Sequence, residues 1–208
     1  MGSRDPLTVR GYAAAMGERK EHQQLLEGAI ATEGEAHRAL LAGDVEAAAE
    51  GMRATADLYR ESWEAAPPRS FGRLVGMLKA AVIAGAAGNA AAYARRELPE
   101  DSADSPASWY ALGLAALIEG DDDVAARAAD AMEEGSEAFG RAARAMRALA
   151  NRDRDGYSDA VAAIVADFES RDAHLTGVAI ADTALMFERL AEQREMAARP
   201  QSQVLPSI

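Results

Sequence analysis

The segment "PASWYALGLAALIEGDDDVAARAADAM" (residues 106–132) decides the fold class, because it contains two short apolar stretches joined by an acidic turn. Apolar residues recur in it at intervals of three and four, as at Leu112, Ala115 and Ile118, which is the period of an amphipathic helix. Gly120 stands where a helix needs a C-cap, and Asp121 can cap the helix that follows. The segment therefore predicts a pair of helices that pack against each other.

The rest of the chain repeats this organisation. Glycines at helix C-cap positions are followed directly by capping residues, and prolines mark the entry to new helix pairs. These positions are Gly43 with Asp44, Gly88 with Asn89, Gly120 with Asp121, and Pro67, Pro68 and Pro106. Valine and isoleucine are sparse and rarely alternate with polar residues, so no strands are indicated. The sequence predicts an all-α protein.

A small residue after the turn of each pair gives the repeat its period. Ala48, Ala92, Ala125 and Ala160 are spaced by 44, 33 and 35 residues, as expected of stacked two-helix repeats. We predict a single helical-repeat domain, a right-handed stack of antiparallel hairpins with a capping helix and two tails. The hairpins are predicted at about 8–66, 68–98, 106–133 and 137–171, the capping helix at 177–198, and the tails at 1–7 and 199–208. A closed helical bundle with pseudo-repeats stays open as the alternative.

One repeat resembles a known family. Trp109, Leu112 and Gly113, followed by Gly120 and Ala125, resemble the tetratricopeptide repeat pattern of an aromatic, a leucine-glycine pair, a turn glycine and a small residue. The other repeats match it in part, since they keep mainly the small residues. The resemblance implies an α-solenoid in which Trp109 lies in the core and fills the gap to the next pair.

Composition excludes several functional classes. The formal net charge of -12 would repel a nucleic-acid backbone, so we predict no nucleic-acid binding. The absence of cysteine excludes disulfides, thiolate metal sites and cysteine nucleophiles. No signal peptide and no run of about 20 apolar residues is found, so a cytoplasmic protein without membrane contact is expected. The acidity is explained either by an acidic, soluble surface or by a basic partner.

Metal-site patterns are weak. Glu18 with His22, and Glu33 with His37, lie four residues apart on one helical face, where a carboxylate and an imidazole could share a metal. We interpret both as solvent-exposed pairs, because the spacings of di-iron bundles and metalloproteases are absent. The acidic runs "EGDDDV" and "NRDRDGYSDA" are interpreted as capped helix turns.

The segment "FESRDAHLTGVAIADTALMFERLA" (168–191) is unusual because polar residues precede and enter a strongly apolar helix. One interpretation is structural: Thr176 or Asp172 caps the helix, Gly177 turns the chain, and Asp182 pairs with a neighbouring arginine. The other makes the segment a recognition patch or pocket floor with His174 and Asp182 as its polar groups.

The final third of the chain, from "NRDRDGYSDA" through "LTGVAIADT" to the Leu-Pro pair of the tail, also resembles the bacterial toxin-immunity family numbered forty-nine. Shared features are an Asn-x-Asp-Arg-type turn with an aromatic residue nearby and a break leading into an apolar helix. The resemblance implies a protein that binds and neutralises a cognate toxin without catalysis.

Two functional hypotheses follow. The first is a non-catalytic protein–protein interaction module, whose partner is another protein such as a basic toxin. Its candidate contact residues are Trp63, Tyr110, Tyr157, His174 and Asp182. The alternative is a small-molecule-binding protein or enzyme with a site between helices near His174 and Asp182. We predict no catalytic residue, metal or cofactor, and a homodimer with paired Ala-rich faces stays open.

Overall fold

The computed structural model describes residues 6–206, with side chains from Glu21 onward. Within that range the chain forms nine α-helices, one short 3-10 turn at Glu100–Ser102 and no β-strand, which confirms the predicted all-α class. The helices are α1 (Pro6–Leu41), α2 (Val45–Glu64), α3 (Gly72–Ile83), α4 (Gly88–Glu97), α5 (Pro106–Glu119), α6 (Asp122–Met132), α7 (Glu137–Ala150), α8 (Arg154–Glu169) and α9 (Asp182–Glu192). None of the described helices is long and apolar enough to cross a membrane.

The helices pack mainly against their neighbours in the chain. Every helix contacts the next one, and α5 also contacts both α3 and α7. The helix α9 departs from this order, because it contacts α3 and α7 as well as α8. The last helix therefore returns across earlier ones. The bounds of the first eight helices lie close to the four predicted hairpin ranges; residues 1–5 and 207–208 of the predicted tails lie outside the described range.

The α5–α6 pair shows why these residues form helices here. Ser105 and Ser108 form a capping box at the start of α5, where Pro106 occupies the first helical position. Gly120 ends α5 in the left-handed conformation at φ 81°, which glycine adopts without strain. The Asp121 side chain then accepts a hydrogen bond from the Val124 amide at 3.3 Å and caps α6.

The leucine-glycine pair of α5 allows close helix packing. Leu112 is buried, and a Cβ atom at Gly113 would clash with Met146 of α7 and lie 2.9 Å from the Ala128 Cβ of α6. Only glycine allows three helices to approach this closely. Trp109 is half-buried and packs against the same core.

The α3–α4 turn differs from the prediction. Gly85, at φ 72°, adopts the left-handed conformation, whereas Gly88 and Asn89 are the first two residues of α4. The predicted cap positions were wrong by three residues because α3 already ends at Ile83. The repeated small residues "AGAAGNAAA" gave no local signal to distinguish the two glycines.

The predicted capping helix at 177–198 is also different. The helix α9 covers only Asp182–Glu192 and is largely buried, so it does not present a polar outer face. Before it, the chain is non-helical: Val178 and Ile180 are buried while Ala179 between them is exposed. The Ala181 amide donates a hydrogen bond to the Val204 carbonyl at 2.7 Å, which ties the C-terminal segment to the start of α9.

Candidate functional site

Four ionisable side chains from three helices meet inside the protein, and we call Glu33, His37, Lys79 and Asp182 the charged cluster. Glu33 and His37 lie one turn apart on α1, Lys79 lies on α3, and Asp182 is the first residue of α9. Glu33 and His37 are fully buried, while Lys79 and Asp182 keep 14% and 13% of their side chains exposed. Buried charged groups are rare unless they are paired, so this cluster is the most unusual feature of the described core.

Two glycines let the helices around the cluster approach closely. A Cβ atom at Gly34 would lie 2.9 Å from the Thr176 backbone oxygen, so the segment before α9 rests directly on α1. A Cβ atom at Gly76 would lie 2.8 Å from the ring of Tyr59, so that ring lies across α3. These contacts bring Thr176 and Tyr59 to the edge of the charged cluster.

Each member of the charged cluster has an identified contact. Lys79 Nζ donates to Asp182 Oδ2 and lies 3.4 Å from Glu33 Oε1. The Tyr59 hydroxyl donates to Glu33 Oε2 at 2.9 Å. His37 Nδ1 and Thr176 Oγ1 are 3.2 Å apart, within hydrogen-bond distance.

The cluster is nevertheless incompletely satisfied. Among the side chains that the structure describes, Glu33 Oε1 and His37 Nε2 are buried and form no hydrogen bond. Two carboxylates face one ammonium group, so with a neutral His37 the cluster carries one excess negative charge. Unsatisfied buried polar atoms are uncommon in folded proteins and require an explanation.

Protonation states follow from burial and charge. Burial alone would lower the pKa of Lys79, but the attraction of Asp182 and Glu33 outweighs it and holds that pKa above its ordinary value. Burial alone would raise the pKa of Asp182, but the charge of Lys79 and its hydrogen bond outweigh this effect and hold that pKa below its ordinary value. For His37 burial dominates and lowers the pKa, although Asp182 and Glu33 oppose this effect. At neutral pH Lys79 and Asp182 are therefore charged and His37 is neutral.

The cluster also contains a set of metal-type donors. One ligand atom each from Glu33, His37 and Asp182 lies within 4.8 Å of the others, and carboxylate oxygens with an imidazole suit divalent transition metals. However, Lys79 contacts both carboxylates and already supplies a cation at this place. The donor set thus fits a lysine-centred ion cluster, and the predicted absence of a metal stays a prediction.

A cavity of about 180 Å³ opens beside the cluster, and we call it the α9 cavity. Lys79 and Asp182 form its floor, since they are its least exposed charged residues. The other residues of its wall are Phe168, Arg171, His174, Leu175, Thr176, Val178, Ile180 and Thr183. A smaller cavity of about 120 Å³ adjoins it and shares Phe168, Arg171 and Thr183.

The rim of the α9 cavity is built around Phe168. The Arg171 guanidinium lies 3.7 Å from the Phe168 ring centroid, and the His174 ring stacks on Phe168 with centroids 6.1 Å apart. Arg171 Nε also donates to Asp167 Oδ2 at 3.1 Å. His174 Nδ1 is buried and has no hydrogen-bond partner among the described residues.

The structure brings together only part of the predicted site. His174 and Asp182 line the same cavity, but Tyr157 is fully buried against Glu188, and Tyr110 is buried beside Phe139. Trp63 is half-buried against Phe71 at a ring-centroid distance of 5.8 Å. The five predicted contact residues therefore do not form one surface.

Several structural interpretations of individual residues were wrong. His37 and Glu33 are buried instead of exposed, because the segment before α9 covers α1. His22 is also buried, and its Nδ1 accepts a hydrogen bond from Arg73 at 2.9 Å. The Glu18 side chain lies outside the described residues. Asp182 pairs with a lysine and not with an arginine. Neither Thr176 nor Asp172 caps α9, because the helix begins at Asp182 with Ala181 as its N-cap residue; Thr176 bonds His37 instead.

Sequence reasoning missed Lys79 and Tyr59, and it assigned Glu33 and His37 to the surface. One signal was present: Lys79 is one of only two lysines in the chain, and it lies within the apolar stretch of α3.

In comparisons with protein-family models, curated proteins and solved structures, no match to this chain was found. The function is therefore argued from the geometry of the site.

Proposed function

We propose that this chain binds a small polar ligand in the α9 cavity. The observation that carries the proposal is that two members of the buried charged cluster form the floor of a cavity whose wall also contains four apolar residues, Phe168, Leu175, Val178 and Ile180. Ligand sites typically combine such walls with a few converging polar groups. Lys79 and Asp182 keep 14% and 13% of their side chains exposed, so both can contact a ligand in the cavity.

A retention experiment tests the proposal. The purified chain is mixed with a methanol extract of small cell metabolites, separated from unbound compounds by gel filtration, and the retained compounds are identified by mass spectrometry. Leu175→Trp places a large ring at the rim of the cavity, and Ala173→Trp places the same ring at an exposed position of the same segment. We expect a compound that wild type and Ala173→Trp retain and Leu175→Trp loses. Equal retention by all three proteins, or none by wild type, would contradict the proposal.

The proposal is one of binding and includes no catalytic step. His37, the imidazole of the charged cluster, does not line the cavity, whereas Thr176, which it contacts, and Lys79 and Asp182 do. A group held behind others does not touch the ligand and cannot act as a general base on it. That the chain is not an enzyme stays a prediction.

We propose protein binding, including toxin neutralisation, as the second candidate function. Leu175 is 73% exposed at the rim of the α9 cavity in a chain with a net charge of -12, a combination that suits a basic polypeptide partner. The test is co-purification with a basic protein encoded by a neighbouring gene. Leu175→Asp should abolish the complex, while Leu41→Asp, at another exposed leucine, should leave it intact. Equal binding by both variants would contradict the Leu175 surface.

The architecture belongs to the same proposal. We interpret α3, α5 and α7 as the inner helices of a tetratricopeptide-like, right-handed stack, because α5 contacts both of the others. The return of α9 onto α3 and α7 then fills part of the concave side, where such proteins hold their ligands. A partner would meet α9 and the segment before it in place of an open groove. A cytoplasmic location is part of this proposal.

A further inference from the structure

We infer that the ligand of the α9 cavity is a small zwitterion, with an ammonium group and a carboxylate on an aliphatic body. This inference rests on the proposed ligand-binding function and adds the chemical class of the ligand. It is argued from the charges at the two ends of the cavity and from the wall between them.

Behind the floor of the cavity, Glu33 adds a second carboxylate to the Lys79–Asp182 pair, so the formal charge at this end is negative. Glu33 and Asp182 share the single ammonium of Lys79, and Asp182 reaches the cavity with 13% of its side chain exposed. Glu33 Oε1 has no hydrogen bond among the residues that the structure describes. An additional cation beside Asp182 would balance the second carboxylate in a poorly solvated place, where electrostatic attraction is strong. The floor therefore favours an ammonium group on the ligand.

The rim carries the opposite excess. Arg141 Nη2 donates to Asp167 Oδ1 at 2.5 Å and Arg171 donates to Asp167 Oδ2, so two guanidinium groups share one carboxylate. Glu137 lies 3.7 Å from Arg141, but it is almost fully exposed and solvent screens its charge. Arg171 lines the α9 cavity, and its guanidinium can attract a further carboxylate there while its Nε and Nη2 donate to Asp167 Oδ2.

The wall between floor and rim contains an apolar part beside Thr176, Thr183 and His174. Phe168, Val178 and Ile180 line it, and Leu175 borders it. A cavity of about 180 Å³ accommodates a molecule of amino-acid size better than a nucleotide or a longer chain. An α-amino acid with an aliphatic side chain matches the floor, the rim and the wall together.

Three probes of similar shape separate the contribution of the ammonium group to binding from that of the carboxylate. Leucine carries both charged groups, 4-methylpentanoate lacks the ammonium group, and 3-methylbutylamine lacks the carboxylate. We would titrate each probe into the ¹⁵N-labelled chain and follow the amides of Gly177, Ile180 and Thr183 by NMR. Because each charged hydrogen bond adds substantially to affinity, leucine should bind about tenfold more tightly than either analogue.

A variant identifies which group of the probe meets the rim. Arg171→Gln should weaken leucine and 4-methylpentanoate by about tenfold, as expected for the loss of a charged hydrogen bond, and should leave 3-methylbutylamine unchanged. Arg127→Gln is the matched control, because Arg127 is an exposed arginine that pairs with Glu100 outside the cavity. It should bind all three probes as wild type does.

The outcomes distinguish the inference from the proposed function. If 3-methylbutylamine or 4-methylpentanoate binds at the cavity amides as tightly as leucine, the zwitterion class is wrong and ligand binding in the cavity stands. The class is also wrong if Arg171→Gln weakens all three probes equally, or if no probe shifts the cavity amides. The proposed function is then decided by the separate metabolite-retention experiment.

Discussion

Two buried glutamates, Glu33 and Glu188, show how differently the same side chain is used in this protein. Each accepts a hydrogen bond from a tyrosine hydroxyl, from Tyr59 at 2.9 Å and from Tyr157 at 2.6 Å. Glu188 also accepts from the Ala198 and Arg199 amides, at 3.2 and 2.7 Å. Glu33 instead lies 3.4 Å from Lys79 and leaves Oε1 without a hydrogen bond among the described residues.

The difference separates a carboxylate held by neutral donors from one that relies on an ion pair. Both Glu188 oxygens accept from fixed neutral donors, and the two amides hold the C-terminal segment against α9. Glu33 instead contacts the Lys79 ammonium group, which also pairs with Asp182. Asp182 is the carboxylate of the charged cluster that lines the α9 cavity, and Glu33 lies behind it in contact with Lys79.

The largest effect is expected for Lys79→Met, which leaves Glu33 and Asp182 buried without a cation. Removing one partner of a buried ion cluster costs about 3–5 kcal/mol of unfolding free energy. Urea denaturation measures this loss. The triple variant that adds Glu33→Gln and Asp182→Asn is the control and should recover much of it, because it removes the uncompensated charges. A loss below about 1 kcal/mol for Lys79→Met would mean that water already solvates the cluster.

A matched pair of tyrosine variants tests the comparison directly. Tyr59→Phe should cost about 1.5–3 kcal/mol, because Glu33 loses the one hydrogen bond from a neutral donor that it has among the described side chains. Tyr157→Phe should cost less, about 0.5–1.5 kcal/mol, because two backbone amides still satisfy Glu188. Both values come from chemical denaturation of otherwise identical proteins. An equal or larger loss for Tyr157→Phe would remove the distinction between the two glutamates.

The pH dependence of stability should report on His37. Its pKa in the folded protein lies below the ordinary value of 6.5, so below pH 6.5 the unfolded chain binds more protons than the folded one. The unfolding free energy should therefore fall as the pH drops below 6.5, by at most about 1.4 kcal/mol per pH unit, until the folded pKa is reached. His37→Gln should remove this slope, and a slope that persists unchanged would exclude His37 as its source.

The smallest effect is expected for an ion pair on the surface. Arg127 bonds Glu100 through two nitrogens, at 2.9 and 3.1 Å, but both side chains are about half-exposed. Arg127→Gln should change the unfolding free energy by at most about 1 kcal/mol, because solvent and salt screen such pairs. Thermal unfolding at low and high salt checks this value. A loss comparable to that of Lys79→Met would contradict the expectation that a buried ion pair contributes more to stability than an exposed one.

The helix pairs could be predicted because their signals are local. Spacing of apolar residues and the caps at Asp44, Gly120 and Asp121 lie within a few residues of the helix ends that they determine. The start of α9 was missed because Val178 and Ile180 were assigned to a helix. Their buried positions alternate with the exposed Ala179, a pattern of period two that a helical interpretation overlooks.

The site could be predicted only in part because its contacts are not local. His174 and Asp182 were found from the polar residues beside an apolar helix, but nothing near Lys79 indicates that it meets Asp182, 103 residues away. The contact between His37 and Thr176 spans 139 residues. A helical period assigns residues to faces, and it does not say which face a distant segment covers.

The return of α9 onto α3 also determines when the site forms during folding. Helix pairs such as α1–α2 and α5–α6 form from neighbouring residues and can fold as the chain leaves the ribosome, whereas long-range contacts form more slowly. Until Asp182 is synthesised and α9 docks, Lys79 lacks the carboxylate to which it donates. A nascent chain can therefore hold intact helix pairs while it still has no cavity.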